Sequence, residues 1–426
     1  MVNDGGSVNA KTASPFLRRL AQAAGPGLLV SVGYMDPGNW ATDIAAGSQQ
    51  GYALLWVVLL SCLAAMLLQT LSLRLGLASG KDLARACRDH YSPRVNRALW
   101  VFAEVAIVAC DVAEVLGCAL ALHLLLNVSL RTGIAITALD TLIVLALQGK
   151  GFRRIEAIVL GLVLTIAACL AMELLLVPPE WHAVATGFVP NLNSLRQPGA
   201  LYLAVGIVGA TVMPHNLYLQ SSIVQTRLMV PTFAGRHDAM RLATIDTVAS
   251  LSLALLVNAA ILVLAASAFH SRGQHDSVEI QDAYRLLYPL GGGAVASLLF
   301  GIALLAAGQS SILTGTIAGQ VVLEGFLDLK MAFWKRRLIT RGLALVPAFA
   351  GISWLGDQSI GTLLLGSQVV LSLQLPFAVW PLIRLNSHAP TMGPHVLRPG
   401  TKLLAWWVFA TITAANAWLT YTLLPT

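Results

Sequence analysis

The chain has 426 residues, of which 57% are hydrophobic and only 11% are charged, and its mean hydropathy is +0.73. These values exclude an ordinary soluble globular protein, and the apolar runs, roughly 20 residues or longer, can cross the hydrocarbon core of a bilayer. The formal net charge of +7 does not indicate a nucleic-acid partner, because the basic residues collect in alternate loops between the apolar runs.

We predict an all-α polytopic membrane protein with 11 transmembrane helices. The spans, numbered 1 to 11, are 25–47, 52–76, 95–126, 131–148, 154–177, 199–226, 241–269, 291–325, 337–356, 359–384 and 402–424. With a cytoplasmic N-terminal tail, residues 1–24, 23 of the 27 Lys and Arg lie on the cytoplasmic side, as the positive-inside rule requires. The C-terminus is then expected outside, and no cleavable signal peptide is expected.

Span 1 is interrupted by Asp36-Pro37-Gly38-Asn39. A broken helix within the bilayer must line a protein-enclosed cavity, because its unpaired backbone groups cannot face lipid. A carboxylate at this depth costs roughly 2.5–3.5 kcal/mol on insertion scales, which makes Asp36 a functional-site candidate. Asp36 offers charge and oxygen, Asn39 offers an amide oxygen, and Gly33 lies one turn before the break.

Span 3 carries three acids, Glu104, Asp111 and Glu114, in an otherwise apolar stretch. Their spacings of seven and three residues place them on one helical face, which must look into the bundle because lipid contact would be prohibitive. Such a face is typical of a proton relay. The alternative is structural pairing with arginines such as Arg336 and Arg337 at the start of span 9, and both roles can hold together.

Span 6 is interrupted by Met213-Pro214-His215-Asn216, with Ala210 one turn earlier. The Met213 thioether disfavours Mg²⁺ and Ca²⁺, which prefer oxygen ligands, but Mn²⁺, Fe²⁺, Co²⁺ and Cd²⁺ tolerate sulfur. Together with Asp36 and Asn39 this predicts a site for a soft or borderline divalent cation. His215 either exchanges protons, as its ordinary pKa near 6.5 would permit, or is a hydrogen-bonded pore histidine.

The two interruptions share the pattern x-Pro-x-Asn and lie five spans apart. An odd separation inserts the two halves with opposite orientation, which indicates a transporter built on inverted repeats. Residues 25–177 form the first predicted repeat, 199–384 the second, and 402–424 an appended helix. Residues 231–238 are predicted as an internal loop, and 270–290 as an external loop with a short surface helix.

These motifs resemble the Nramp family of divalent-metal transporters, of the bacterial manganese transporter type. The resemblance covers the chain from about residue 20 to its end and rests on the two interruptions and on a polar motif in span 8. That motif comprises Gly308-Gln309-Ser310-Ser311, Thr314-Gly315-Thr316, Gly319-Gln320 and Glu324-Gly325-Phe326. The resemblance implies a LeuT-like fold with a 5+5 inverted repeat, interrupted helices 1 and 6, proton-coupled uptake of Mn²⁺ or Fe²⁺, and alternating access.

The resemblance also implies roles for particular residues. The metal would be bound by Asp36, Asn39, Met213, the carbonyl of Ala210, the carbonyl of Gly33, and Gln368 in preference to Gln374. The proton route would use Asp36 or His215, then Asp111 and Glu114, toward Arg336 and Arg337, with Glu104 as a second acid. One departure is Gln220, where many family members have histidine; it removes a titratable group from span 6. A second is Gly33, where alanine is usual.

The sequence therefore predicts a monomeric importer in the bacterial inner membrane, with the metal and protons as substrates and no cofactor. The nearest alternative is an amino-acid or sodium-coupled transporter on the same fold, although Asp36 would repel a substrate carboxylate. A channel in which the same residues form a static filter is a further alternative. An intramembrane enzyme is disfavoured, because no His-Glu-x-x-His motif is present. The five scattered cysteines are expected to be small core residues.

Overall fold

The computed structural model describes residues 24–139, 152–227, 232–273 and 294–423, and most of this part of the chain is α-helical. Nine helical segments within it, counting span 6 as one, are long and apolar enough to cross a membrane. The uninterrupted long helices are Leu55–Ser79 (span 2), Pro93–Leu126 (3), Phe152–Leu176 (5), Phe233–Ala268 (7), Ala294–Leu327 (8), Phe333–Leu355 (9), Ile360–Asn386 (10) and Pro399–Leu423 (11). The predicted all-α membrane fold is confirmed.

Span 1 consists of two helices, Pro26–Gly33 (span 1a) and Pro37–Gln50 (span 1b), as the sequence predicts. Span 1b begins at a proline whose missing N–H would be unpaired in any first helical turn. Asp36 caps this helix, because its Oδ1 accepts a hydrogen bond from the backbone N–H of Asn39 at 2.8 Å. The carboxylate of Asp36 is therefore held in place by the helix that it starts.

Span 6 consists of Ala200–Val212 (span 6a) and Pro214–Ile223 (span 6b), and only Met213 separates them. Met213 has a φ of +22°, in the region that residues with a side chain rarely adopt. Such a conformation costs on the order of 1–3 kcal/mol and persists only where the surrounding structure imposes it. Its side chain is fully buried, so packing around Met213 supplies that constraint.

Small residues bring the interrupted helices close to their neighbours. A side chain at Gly209 in span 6a would collide with the backbone of Gln368 and Ser372 in span 10. A side chain at Gly117 in span 3 would collide with Pro37 in span 1b. Glycines of this kind allow close backbone approach in membrane bundles. Spans 3, 6 and 10 therefore surround the break in span 1 at short range.

The N-terminal end of span 1a is bound by Asp246 of span 7, whose Oδ2 accepts from the backbone N–H of Gly27 at 2.7 Å and of Gly25 at 3.2 Å. Asp246→Ala would leave these donors without their charged acceptor, at a cost of about 1–3 kcal/mol. We expect the thermal unfolding midpoint of the detergent-purified protein to fall. The exposed Asp357 provides the control variant Asp357→Ala, and equal midpoints for the two variants would contradict this role for Asp246.

Several predicted boundaries require comment. The internal loop predicted at 231–238 is wrong from Phe233 onward, because span 7 begins there. Thr232 caps its first turn by accepting from the N–H of Gly235 at 3.1 Å, so the polar residues extend the helix beyond the apolar run. Span 4 is described only through Leu130–Thr137, and its remainder lies outside the described residues. Residues 1–23 of the N-terminal tail, 274–290 of the external loop and 291–293 at the predicted start of span 8 also lie outside them.

Candidate metal centre

Oxygens from the two interrupted spans converge on one point. The side-chain NH₂ of Asn39 donates to Asp36 Oδ1 at 2.9 Å and to the backbone carbonyl of Ala210 at 3.2 Å. Asp36 and Ala210 are fully buried, Asn39 is 1% exposed, and Asp36 Oδ2 has no hydrogen-bond partner among the described residues. A carboxylate from span 1 and a carbonyl from span 6 thus accept from one donor group. A cation could take the place of that donor and bind both oxygens.

Two further residues of the predicted ligand set, Met213 and Gly33, both contact Asn216. Met213 Sδ accepts from the side-chain amide of Asn216 at 3.6 Å. The same amide packs against Gly33, where a side chain would overlap it. Span 1a therefore meets span 6b through Asn216, and the end of span 1a lies beside the thioether.

Gln368 of span 10 borders the break in span 1, because its side-chain amide packs directly on Gly38 at the start of span 1b. It is fully buried and donates through Nε2 to Ser367 Oγ at 2.9 Å. Its Oε1 has no hydrogen-bond partner within the part of the chain that the structure describes. The unpartnered amide oxygen suits a ligand, and the metal-binding role of Gln368 stays a prediction.

Asn258 of span 7 was not predicted as a site residue, but it bridges the break in span 1. Its side-chain NH₂ donates to the carbonyl of Tyr34 at 2.8 Å and to Asn39 Oδ1 at 3.4 Å. A lone asparagine within the apolar run of span 7 was the available signal. Asn258 fixes the orientation of Asn39 and satisfies one of the carbonyls that the interruption exposes.

No three His, Cys, Asp or Glu side chains within the described ranges lie close enough together to hold a metal ion. A cation at the convergence point would therefore depend on one carboxylate supplemented by neutral donors: amide oxygens, a carbonyl and a thioether. Asp36 is the only charged member of the predicted ligand set. Such a set favours moderate affinity, which suits release better than permanent retention.

The acids of span 3 are paired with the arginines of span 9. Both carboxylate oxygens of Glu104 accept from Arg336 Nη2, at 2.8 and 2.7 Å. Asp111 Oδ1 accepts from Arg337 Nη1 at 2.9 Å, and Glu114 Oε2 lies 4.0 Å from Arg337 Nη2. The common face predicted from the spacing of the acids therefore does point into the bundle, and the ion pairs weighed as an alternative to a relay are present.

His215 and Gln220 both lie in span 6b but contact different neighbours. His215 Nε2 is 3.7 Å from Cys110 Sγ of span 3, and its Nδ1 has no hydrogen-bond partner among the described residues. Gln220 Nε2 donates to Thr247 Oγ1 of span 7 at 2.8 Å. Gln220 therefore ties span 6b to span 7 by a neutral hydrogen bond, whereas His215 contacts Cys110 of span 3.

Comparison with known proteins identifies the family. The family model described as natural resistance-associated macrophage protein-like, or Nramp, matches residues 27–422. The chain belongs to the Nramp family. Because the match begins at span 1a and ends in span 11, it includes every residue of the candidate metal centre.

Characterised relatives match this Nramp protein along almost its whole length. It is 61% identical over 410 residues to the divalent metal cation transporter MntH of Ralstonia nicotianae, and 63% identical over 409 residues to MntH 1 of Pseudomonas aeruginosa. Each alignment covers 96% of this chain and 93% of the relative. The likeness therefore runs along nearly the full length of both chains.

Solved structures agree with this assignment. A variant of the manganese transporter of Eremococcus coleocola has a TM-score of 0.89 and 37% identity, with 96% of this chain and 88% of that chain covered. MhsT in complex with L-phenylalanine has a TM-score of 0.62 at 14% identity, covering 92% of this chain and 98% of that one. The second likeness concerns the fold alone, which this Nramp protein shares with MhsT.

Proposed function

We propose that this Nramp protein imports divalent transition-metal ions, with Mn²⁺ as the main substrate and Fe²⁺, Co²⁺ and Cd²⁺ as further ones, in symport with protons. The convergence of Asp36 Oδ1 and the Ala210 carbonyl on a single donor carries this proposal. The names of the MntH relatives and of the Eremococcus transporter support it. Alternating access around the two breaks would expose the site to each side in turn.

In this proposal the substrate cation displaces the Asn39 NH₂ from its two acceptors. Asp36 then contributes charge, Ala210 its carbonyl and Met213 its thioether. Asn39 contributes its oxygen once its amide turns over and the hydrogen bond from Asn258 to that oxygen is broken. Gly33 and Gln368 border the same space and are the remaining proposed ligands. The single negative charge and the sulfur together favour Mn²⁺ and softer ions over Ca²⁺ and Mg²⁺.

The proposed proton route runs from the metal site to span 3 and does not cross the position of the bound cation. It starts at Asp36 or His215 and continues to the acids of span 3. Asp111 and Glu114 lie along the same guanidinium, that of Arg337, at 2.9 and 4.0 Å. The Glu104–Arg336 pair extends this chain of acids and arginines along span 3. A proton arriving at one acid would weaken its ion pair and so couple protonation to helix movement.

An amino-acid or sodium-coupled transporter is the competing proposal, and the fold shared with MhsT favours it. In that class, helix N-termini at the breaks bind the substrate carboxylate. Here the first turn of span 1b is already capped by Asp36, which accepts from the N–H of Asn39. A substrate carboxylate would therefore meet a negative charge where it needs a donor, and the metal-ion proposal is preferred.

Uptake into proteoliposomes tests the proposal. Saturable Mn²⁺ uptake with acidification of the vesicle interior is expected, and uptake that does not saturate would indicate a channel. In Met213→Ala, Ca²⁺ should become a competitor of Mn²⁺, because the thioether that disfavours hard cations is gone. The control is Met240→Ala, which removes a buried thioether from span 7. Unchanged Ca²⁺ sensitivity in Met213→Ala would contradict a role for sulfur in selectivity.

The location and assembly of the protein follow from the same proposal. The apolar surface of the long helices supports a multi-pass membrane protein, with Trp354 of span 9 and Trp407 of span 11 both largely exposed. We place it in the inner membrane of a bacterium as a monomer, with the N-terminus in the cytoplasm and the C-terminus outside. The transported ions are its substrates, and no resident cofactor or catalytic activity is proposed.

A further inference from the structure

A buried thiol and a buried imidazole meet beside the candidate metal centre. Cys110 Sγ of span 3 and His215 Nε2 of span 6b are 3.7 Å apart, and the two residues are 3% and 2% exposed. His215 lies two residues after Met213, so this pair is within about one helical turn of the break in span 6. Neither the thiol nor this contact belongs to the proposed transport site.

The separation of these two atoms fits a shared metal ion. A tetrahedral Zn²⁺ with a sulfur ligand at about 2.3 Å and a nitrogen ligand at about 2.1 Å places the two donors about 3.6 Å apart. The observed distance between Cys110 Sγ and His215 Nε2, 3.7 Å, is close to this value. Thiolate and imidazole form a pair that Zn²⁺ and Cd²⁺ favour strongly, whereas Mn²⁺ stands at the weak end of the affinity order and prefers carboxylates.

A carboxylate next to the thiol can receive its proton. Glu114 Oε1 lies 3.9 Å from Cys110 Sγ, one turn further along span 3. Glu114 is fully buried, and its Oε2 has no hydrogen-bond partner among the described residues. When a metal binds, the S–H bond breaks, the sulfur–metal bond forms with the electron pair of sulfur, and the proton passes to Glu114. His215 contributes the lone pair of Nε2, with its proton on Nδ1.

We propose that Cys110 and His215 form a second metal site beside the transport site, which holds soft cations such as Zn²⁺ and Cd²⁺ while Mn²⁺ passes. Water molecules would complete the coordination. The inference rests on the proposed import of divalent metals, because a cation must reach the break in span 6 to meet this pair. Its consequence is that Zn²⁺, which is not among the proposed substrates, inhibits Mn²⁺ uptake from a site that it does not share with Mn²⁺.

The first test compares Zn²⁺ inhibition of Mn²⁺ uptake in proteoliposomes, with each variant normalised to its own uptake without Zn²⁺. In Cys110→Ser the Zn²⁺ concentration for half-inhibition should rise at least about tenfold, since even the loss of an outer partner of a metal ligand weakens affinity by about 10–100-fold. The matched control is Cys118→Ser, which replaces a buried thiol two turns further along the same helix. An unchanged half-inhibition concentration in Cys110→Ser would overturn the proposal.

The second test does not depend on transport. Titration of the detergent-purified protein with Cd²⁺ should produce the ultraviolet charge-transfer band of a thiolate–cadmium bond in the wild type and in Cys118→Ser, but not in Cys110→Ser. Persistence of the band in Cys110→Ser would overturn the site. If the band behaves as expected but the wild type takes up no Mn²⁺, the proposed function fails and the soft-metal site stands.

Discussion

Asp36→Asn should abolish Mn²⁺ uptake while leaving the fold intact. Unit charges 4 Å apart interact by about 4 kcal/mol at the dielectric typical of protein sites, so removing the only charged ligand should lower uptake efficiency at least about a hundredfold. Asparagine is itself a good helix N-cap, so span 1b should still begin at Pro37. Mn²⁺ uptake into proteoliposomes and the thermal unfolding midpoint, measured on the same preparation, separate the two effects.

The matched control for this variant is Asp82→Asn. Asp82 caps the helix Leu83–His90 by accepting from the N–H of Arg85 at 2.8 Å, the same contact that Asp36 makes with Asn39. It lies between spans 2 and 3 and borders no proposed ligand. Asp82→Asn should retain uptake, and uptake by Asp36→Asn within about tenfold of the wild type would rule out the carboxylate as the main metal ligand.

Arg337→Met should destabilise the protein more than any other single change at the ion pairs. Arg337 is 1% exposed and faces both Asp111 and Glu114, so its loss leaves two buried carboxylates without their cation. Breaking one partner of a buried ion pair costs about 3–5 kcal/mol. A lower thermal unfolding midpoint in detergent and reduced recovery of folded protein are the measurements.

Neutralising the acids provides the internal check on this prediction. Adding Asp111→Asn and Glu114→Gln to Arg337→Met should recover most of the lost stability, because apolar or neutral replacement of a whole buried pair is often tolerated. Arg336→Met is the matched single variant, and its pair with Glu104 is more accessible, with 17% of the Glu104 side chain exposed. A larger loss for Arg336→Met, or no recovery in the triple variant, would contradict the assignment.

The sequence predicts the membrane architecture and both interruptions because their signals are local. A proline preceded by Asp36 or Met213 and followed two residues later by asparagine is readable without any knowledge of packing. The same holds for the face shared by Glu104, Asp111 and Glu114, since helical spacing alone decides it. The start of span 7 was misplaced because capping by Thr232 extends a helix through polar residues that hydropathy assigns to a loop.

Two residues were not predicted to lie at the site, because packing between distant parts of the chain determines their positions. Asn258 contacts Tyr34 and Asn39, which precede it by more than 200 residues. Cys110 meets His215 across 105 residues, and in the sequence it is only one of five scattered cysteines. The cysteines are all buried, as expected for small core residues, but burial alone does not reveal which thiol faces a ligand.

At Met213 the requirements of folding stability and of metal selectivity differ. A φ of +22° is disfavoured more strongly for a residue with a side chain than for glycine, yet the residue there carries the only sulfur of the proposed ligand set. The chain therefore gives up folding free energy, on the order of 1–3 kcal/mol, to keep a thioether at this position. Replacements that make this protein more robust at position 213 would accordingly make it a less discriminating transporter.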